Sequence, residues 1–285
     1  MTLGEWLNVW MELYVYPADL AENTKKCYNR AVRAVPLGLS SRPLRELSPL
    51  ELRRWLLDVA QDHPRAAQLD RVMLHKALSI AAKAGEASPA LCDPELLPQI
   101  KHKAEKAAVL NMEQLRIYLA AAANTKHGVP LMLMACGLRR SEALGARWEA
   151  LDLAAGTLAV VGQRLPGSDV LSPLKSAASY RVIELPPQVT VILRRMPRPI
   201  GGGWLCSISS RQIYKVHARL LASEDLPKIS LHGLRHSFAT AAVQRGIPIK
   251  VLQAALGHAK YQLTADLYAD HLPSVSSVSR SVYTA

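Results

Sequence analysis

The stretch DPELLPQIKHKAEKAA at residues 93–108 constrains the fold more than any other part of the chain. Its two prolines remove backbone donors, and Lys101, Lys103 and Lys106 crowd three like charges together, so the segment reads as a basic linker rather than a packed element. A boundary near residue 107 divides the 285 residues into two pieces. That length is long for one core and comfortable for two. With 49% hydrophobic residues, the chain can build packed interiors.

The first piece reads as helices. Trp6, Trp10 and Leu13 recur at near-helical spacing. Ser48, Pro49 and Glu51 spell an N-cap, a first helical residue and a capping-box partner, opening an apolar stripe through Leu52, Trp55, Leu56 and Val59. Leu69, Val72, Met73, Ala77 and Ile80 continue the pattern until Gly85. Beyond the linker, Asn111 and Gln114 form a second box, with Leu110 and Leu115 placed as a hydrophobic staple.

Strand character is confined to the second piece. GTLAVVGQ (156–163) and SYRVIELP (179–186) are short and β-branched, and the turn-rich RLPGSDVLSPLKSAA separates them. They predict a small antiparallel sheet inserted among helices. From 231 onward the chain is helical again: Gly246 and Pro248 separate two helices, Gly257 ends the second, and Thr264 caps a last one carrying Tyr268. The expected fold class is mainly α with a small antiparallel β-sheet. The expected divisions are a helical domain at 1–92, the basic linker at 93–108, a mixed α/β domain at 109–272 and a tail at 273–285.

A formal charge of +12 favours polyanionic partners, either nucleic acid or an anionic membrane. The membrane reading finds no support: MTLGEWLNVWMELYV carries Glu5 and Glu12 and lacks a basic start and a cleavage pattern, and no uncharged run approaches a span. Cys27, Cys92, Cys136 and Cys206 are far apart with no CxxC, which argues against a zinc ribbon or a disulfide framework and fits a reducing cytoplasm. Lys26, Arg30 and Arg33 form an i, i+4, i+7 stripe that is either a solvated face or a DNA contact.

The chemistry concentrates in LHGLRHSFAT, where a helix would present His232, Arg235 and His236 on one face. A guanidinium fork matches two phosphate oxygens, and imidazoles add hydrogen bonds or move a proton. The i, i+4 histidines share the spacing of a zinc site, but Gly233 stands where HExxH carries its base. No metal ligand set, and no GxxxxGK[ST] loop, accompanies them; GGG at 201–203 lacks the following Lys-Ser/Thr. The cluster has no nucleophile of its own.

Its surroundings supply one. CGLRRSEALGARW (136–148), PLKSAASYRVIELP (173–186), LHGLRHSFAT (231–240), LGH (256–258) and TADLYADHL (264–272) stand in this order, and together they resemble the tyrosine recombinases, the phage-integrase-like site-specific recombinases. The resemblance spans about residues 109–272. It implies a helical core-site DNA-binding domain followed by a catalytic domain. Arg139 and Arg235 would hold the scissile phosphate, Lys175 would protonate the leaving 5′ oxygen, His232 and His258 would assist, and Tyr268 would attack phosphorus to give a 3′-phosphotyrosine. Glu142 would support the arginine, with His236 in a structural role.

Lys26, Arg30, Arg33, Lys101, Lys103, Lys106 and Arg181 are the expected DNA contacts. Arg140 is the neighbouring rival of Arg139, and Tyr261 that of Tyr268. Cys136 reads as a core residue.

The resemblance further implies double-stranded DNA core sites as partners and a homotetramer on two duplexes, with Leu272–Ala285 passed between neighbours. Accessory DNA-bending or directionality proteins are further candidates, and neither metal nor ATP is required. The chain starts almost directly at the helical domain, so either it belongs to the simpler group that includes chromosome-dimer resolvases or an arm-binding portion precedes it. Two other functions use the same residues: nicking and resealing of one duplex in the manner of a type IB topoisomerase, and DNA binding without catalysis.

Overall fold

The computed structural model describes residues 1–100 and 107–259. By contact the chain separates into two compact units, Met1–Glu105 and Lys106–Ala285. In the first, α1 (Leu3–Trp10), α2 (Glu22–Ala34), α3 (Leu37–Ser40), α4 (Pro49–Asp62) and α5 (Pro64–Lys83) surround one apolar core. The expected capping box starts α4: Ser48 Oγ accepts from the Leu50 N–H at 3.2 Å, and Glu51 Oε2 accepts from the Ser48 N–H at 2.9 Å. Leu52 and Leu56 are then buried, and Trp55 packs against them from the edge.

Two residues of the expected stripe face outward. After Trp10 the helix widens into a π turn over Met11–Val15, closed by the Tyr16 N–H on Met11 O at 2.9 Å. The extra residue rotates Leu13 to the surface, where it is 65% exposed, and turns Met11 and Val15 inward. In α5, Val72 is exposed and the inner face instead runs through Ala67, Asp70, Met73, Leu74, Ala77, Leu78 and Ala81. Asp70 thus sits where a hydrophobic residue would be expected. Burial raises its carboxyl to about 6, against the pull of Arg30 on α2.

The linker reading fails at Leu97. Asp93 O accepts from the Leu97 N–H at 3.0 Å and Asp93 Oδ1 from the Glu95 N–H at 2.8 Å, a turn that tucks Leu97 into the first core. Lys101, Lys103 and Lys106 lie outside the described residues.

The second unit begins with α6 (Met112–Ala123), whose capping box pairs Asn111 and Gln114 at 2.9 and 3.0 Å as expected, with Leu110 and Leu115 both buried. At its centre runs α7 (Val129–Ala135), every residue of which is buried. A helix apolar on all sides can only be a core helix in a globular chain, and α6, the short α8 (Arg140–Leu144) and α11 (Leu231–Gln244) pack around it. The sheet carries β1 (Leu151–Asp152), β2 (Thr157–Val160) and β5 (Arg181–Glu184) in antiparallel order β1-β2-β5. Register places Leu158 opposite Ile183, both facing inward, as the period of two requires. Within the turn-rich segment, β3 (Gln163–Arg164) and β4 (Leu171–Ser172) form an additional small pair.

After α9 (Pro187–Arg195) and α10 (Ser210–Ser223), α11 (Leu231–Gln244) and α12 (Ile249–Leu256) close the described part of the unit. Gly246, Pro248 and Gly257 mark their ends as expected. The last helix expected around Thr264 and Tyr268, and the tail at 273–285, lie outside the described residues.

Candidate active site

The site starts where α7 stops. Gly137 turns the chain at φ 95°, and an added Cβ there would lie 2.9 Å from the Phe238 ring, so the turn requires glycine. Leu138 is buried, and Arg139 takes the position before α8. Glu142, three residues on, folds back over it: Oε2 accepts from the Arg139 N–H at 2.9 Å, and Oε1 from Arg139 Nη1 at 2.6 Å. Arg140 diverges and lies over Tyr214, 5.5 Å from its ring. Geometry therefore separates these adjacent arginines.

Ser230 caps α11 by accepting from the Gly233 N–H at 3.0 Å, and the helix then presents His232, Arg235 and His236. The Arg235 side chain is 2% exposed, donating to Gly137 O at 2.6 Å and to Leu256 O at 2.8 Å. Its Nη1 lies 3.9 Å from Glu142 Oε2. Arg181, expected among the DNA contacts, points inward instead: its side chain is 7% exposed, and it donates to Glu142 Oε2 at 3.0 Å, Ala255 O at 2.6 Å and Ser179 O at 2.9 Å. Arg139 Nη2 donates to Gly257 O at 2.8 Å and keeps 32% of its side chain exposed.

Glu142, 1% exposed, is thus shared by three guanidiniums. Burial opposes its ionisation, but the hydrogen bonds and charge of Arg181 and the bonds from Arg139 prevail and hold its carboxyl below the usual value. A buried carboxylate with fewer partners would be costly. Here it fixes the cations that surround it.

The imidazoles share this field. The His232 and His236 rings meet edge to face with centroids 4.6 Å apart. Desolvation, His236, Arg235 and Arg139 together lower His232 to about 4, although it retains solvent contact; desolvation followed by Arg235, Arg139, His232 and His236 takes His258 to about 4 as well. His236 is lowered too, by burial and then by Arg235. Neutral rings can accept hydrogen bonds, while the cations beside them make them weak bases.

These shifts predict opposite responses of the two units to acid. Unfolded imidazoles bind protons below about 6.5, whereas folded His232 and His258 do so only near 4, so the second unit loses stability as pH falls through that window. Asp70 in α5 works the other way: between about 6 and 3.8 its folded carboxyl is protonated while the unfolded one is not, and acid stabilises the first unit. Hydrogen exchange corrected for intrinsic rates should show protection falling in α11 and α12 and rising in α5 between pH 7 and pH 5. Equal changes in both would contradict the assignment.

Of the remaining expected residues, Lys175 is exposed in the bend between β4 and β5. Lys26, Arg30 and Arg33 are exposed along α2. Tyr268 and its rival Tyr261 lie outside the described residues. Cys136 is buried, and burial drives its thiol up to about 12, which leaves it inert.

A buried polar bridge carries no signature in the sequence. Tyr118 Oη meets His217 Nδ1 at 2.8 Å, and His217 Nε2 meets Ile229 O at 3.0 Å, linking α6 and α10 to the segment that enters α11. Its members are 99 residues apart, and nothing in the local sequence pairs them.

Among the described residues no group of three or more His, Cys, Asp or Glu could hold a metal ion, and no helix is long and apolar enough to cross a membrane.

Residues 99–274 match the phage integrase family. The chain is 28% identical over 280 residues to tyrosine recombinase XerC of Brucella suis, an alignment covering 90% of this chain and 86% of that protein. It is 23% identical over 210 residues to a XerC-like tyrosine recombinase of Caldanaerobacter subterraneus, where 62% of this chain spans only 53% of the relative. Among solved structures it resembles the Tn1549 transposon integrase in complex with a circular intermediate DNA, with a TM-score of 0.80, 20% identity and coverage of 99% and 98% of the two chains. It also resembles a lambda integrase tetramer bound to a Holliday junction, with a TM-score of 0.68, 18% identity and coverage of 91% and 78%. The chain belongs to the phage integrase family, the tyrosine recombinases. Its fold, helical with a small antiparallel sheet, is that of the solved integrases.

Proposed function

We propose that this protein is a site-specific DNA recombinase that cuts and rejoins strands through a 3′-phosphotyrosine and a Holliday junction. The observation that carries this reading is the anchoring of Arg139 and Arg235 on one carboxylate, Glu142, and on adjacent carbonyls, Gly257 and Leu256. Two guanidiniums fixed in one place can neutralise the charge that builds on the non-bridging oxygens of a phosphodiester, and do so without a metal.

In the proposed step the Tyr268 oxygen bonds to phosphorus as the bond from phosphorus to the 5′ oxygen breaks. The phenolic proton passes to His232 once the negative charge of the bound phosphate offsets the cations that lower that ring, Lys175 supplies a proton to the departing 5′ oxygen, and His258 hydrogen-bonds the phosphate. Positive charge around the gripped phosphate eases loss of the proton from a phenol brought to it. The tyrosyl ester preserves the phosphodiester energy, so a 5′ hydroxyl of a second strand can reverse the step without ATP. Paired core sites on two duplexes, held by four copies that exchange Leu272–Ala285, then pass strands through a junction.

The test uses duplexes that the wild-type protein selects from a randomised library, nicked at successive positions so that a cleaved end diffuses away. The protein should form an SDS-resistant adduct in EDTA, and intact pairs of the same duplex should exchange strands. No adduct at any nick position would overturn the proposal. An adduct with relaxation of one plasmid but no exchange between duplexes would assign nicking and resealing instead.

The stripe on α2 is proposed as a phosphate contact that sets position rather than sequence preference. Substituting Lys26, Arg30 and Arg33 by alanine should weaken all duplexes alike and make the salt dependence of log affinity shallower by about one for each phosphate left without a cation. An unchanged slope, measured by titration across salt concentrations, would return the stripe to a solvated face.

A further inference from the structure

The end of α12 allows a complete account of its backbone acceptors. The last four carbonyls of a helix lack partners within it. Here Gln253 O accepts from the His258 N–H at 3.2 Å and Ala254 O from the Gly257 N–H at 3.0 Å, with Gly257 in the left-handed region at φ 66°. The next three carbonyls go in turn to three arginines: Ala255 O to Arg181 Nε, Leu256 O to Arg235 Nη2 and Gly257 O to Arg139 Nη2, at 2.6, 2.8 and 2.8 Å. These arginines come from β5, α11 and the start of α8. The partial negative charge of a helix C-terminus favours all three.

Two of them are the proposed phosphate ligands, and the third has another task. Arg181 commits all of its nitrogens to protein acceptors: Nε to Ala255 O, Nη1 to Ser179 O and Nη2 to Glu142 Oε2. Ser179 closes the 3-10 turn Ala177–Ser179, and its Oγ lies 3.0 Å from that of Ser176, the residue directly after Lys175. A side chain at Gly257 would press on the same guanidinium, with its Cβ 2.9 Å from Arg181 Nη1.

We propose that Arg181 is a positioning residue that locks the segment carrying Lys175 to the carboxylate and helix end that hold Arg139, Arg235 and His258. This rests on the recombinase reading above and deepens it. Arg181 touches neither phosphate nor leaving group; it sets where the proton donor stands relative to the gripped phosphate. A lysine at 181 keeps the charge but lacks the planar fork that reaches three acceptors at once.

The experiment measures adduct formation on the nicked duplexes at saturating DNA, with either oxygen or sulfur at the 5′ bridging position. Sulfur departs as a thiolate and needs no proton, because a thiol has a pKa of about 8.5. Wild type should form adduct on both. Arg181→Lys should form it about 10- to 100-fold more slowly on the oxygen substrate, the usual consequence of a displaced catalytic group, with DNA affinity unchanged. On the sulfur substrate most of that deficit should disappear, as it should for Lys175→Ala. Arg181→Gln provides a second variant if the first does not fold.

Wild-type rates in the folded variants would overturn the proposal. So would a loss confined to DNA affinity, or a deficit equal on oxygen and sulfur. Failure of both variants to fold would make Arg181 a stability residue alone. Absence of a wild-type adduct would instead remove the recombinase reading itself, and Lys175→Ala without sulfur rescue would remove the lysine's role.

Discussion

Tyr268→Phe should bind DNA as wild type does and form no SDS-resistant adduct. The substitution keeps the ring and removes one oxygen, so packing and charge are preserved while the atom that would bond to phosphorus is gone. Loss of an essential nucleophile leaves only the stabilisation supplied by the rest of a site, and the covalent step should fall by at least about 10⁴-fold. The choice of Tyr268 over Tyr261 comes from spacing: Tyr268 follows the apolar Leu267, in a segment that Thr264 can cap, at the distance after LGH that the family resemblance implies. Tyr261→Phe should therefore retain the adduct. Mass spectrometry of the nuclease-trimmed adduct reads the modified residue directly. An adduct that survives Tyr268→Phe would show that another side chain attacks.

Arg235→Ala should cost about 100- to 1000-fold in the rate of adduct formation per folded molecule, the usual effect of removing one transition-state donor. Its burial adds a structural penalty. Truncation deprives Gly137 O and Leu256 O of a donor and takes one of three guanidiniums from Glu142, and each orphaned buried acceptor costs about 1–3 kcal/mol. The two effects separate in Arg235→Lys, which restores charge beside Glu142 without the two-pronged reach. Its thermal midpoint should recover more than its rate. Equal recovery of both would mean that Arg235 serves stability and not the phosphate.

Where local chemistry decides, the sequence was readable. Ser48 with Glu51 and Asn111 with Gln114 start helices because a cap needs only four residues to declare itself. β2 and β5 pair because their inward residues alternate. Arg139, Glu142 and Arg235 come together on glycines and caps visible in the chain.

What stayed hidden depends on partners distant in sequence. Arg181 looks like any arginine at a strand edge until α12 and Glu142 close over it. Asp70 occupies an inward position on α5 that hydrophobic spacing alone would assign to a neighbour, and the π turn after Trp10 moves Leu13 outward by inserting one residue that no local signal announces. Leu97 is drawn from an apparent linker into a core by a turn anchored on Asp93. In each case a tertiary contact overrides a local pattern.

Arg139 and Arg235 are proposed to act on one phosphate. A crystal structure of Tyr268→Phe bound to a selected duplex tests it most directly. Both guanidiniums should hydrogen-bond non-bridging oxygens of a single phosphodiester at about 2.7–3.0 Å, with His232 and His258 beside it. Contacts from the two arginines to different phosphates, or a duplex that passes the Glu142 cluster without placing any phosphate there, would show that the two guanidiniums do not share one phosphate.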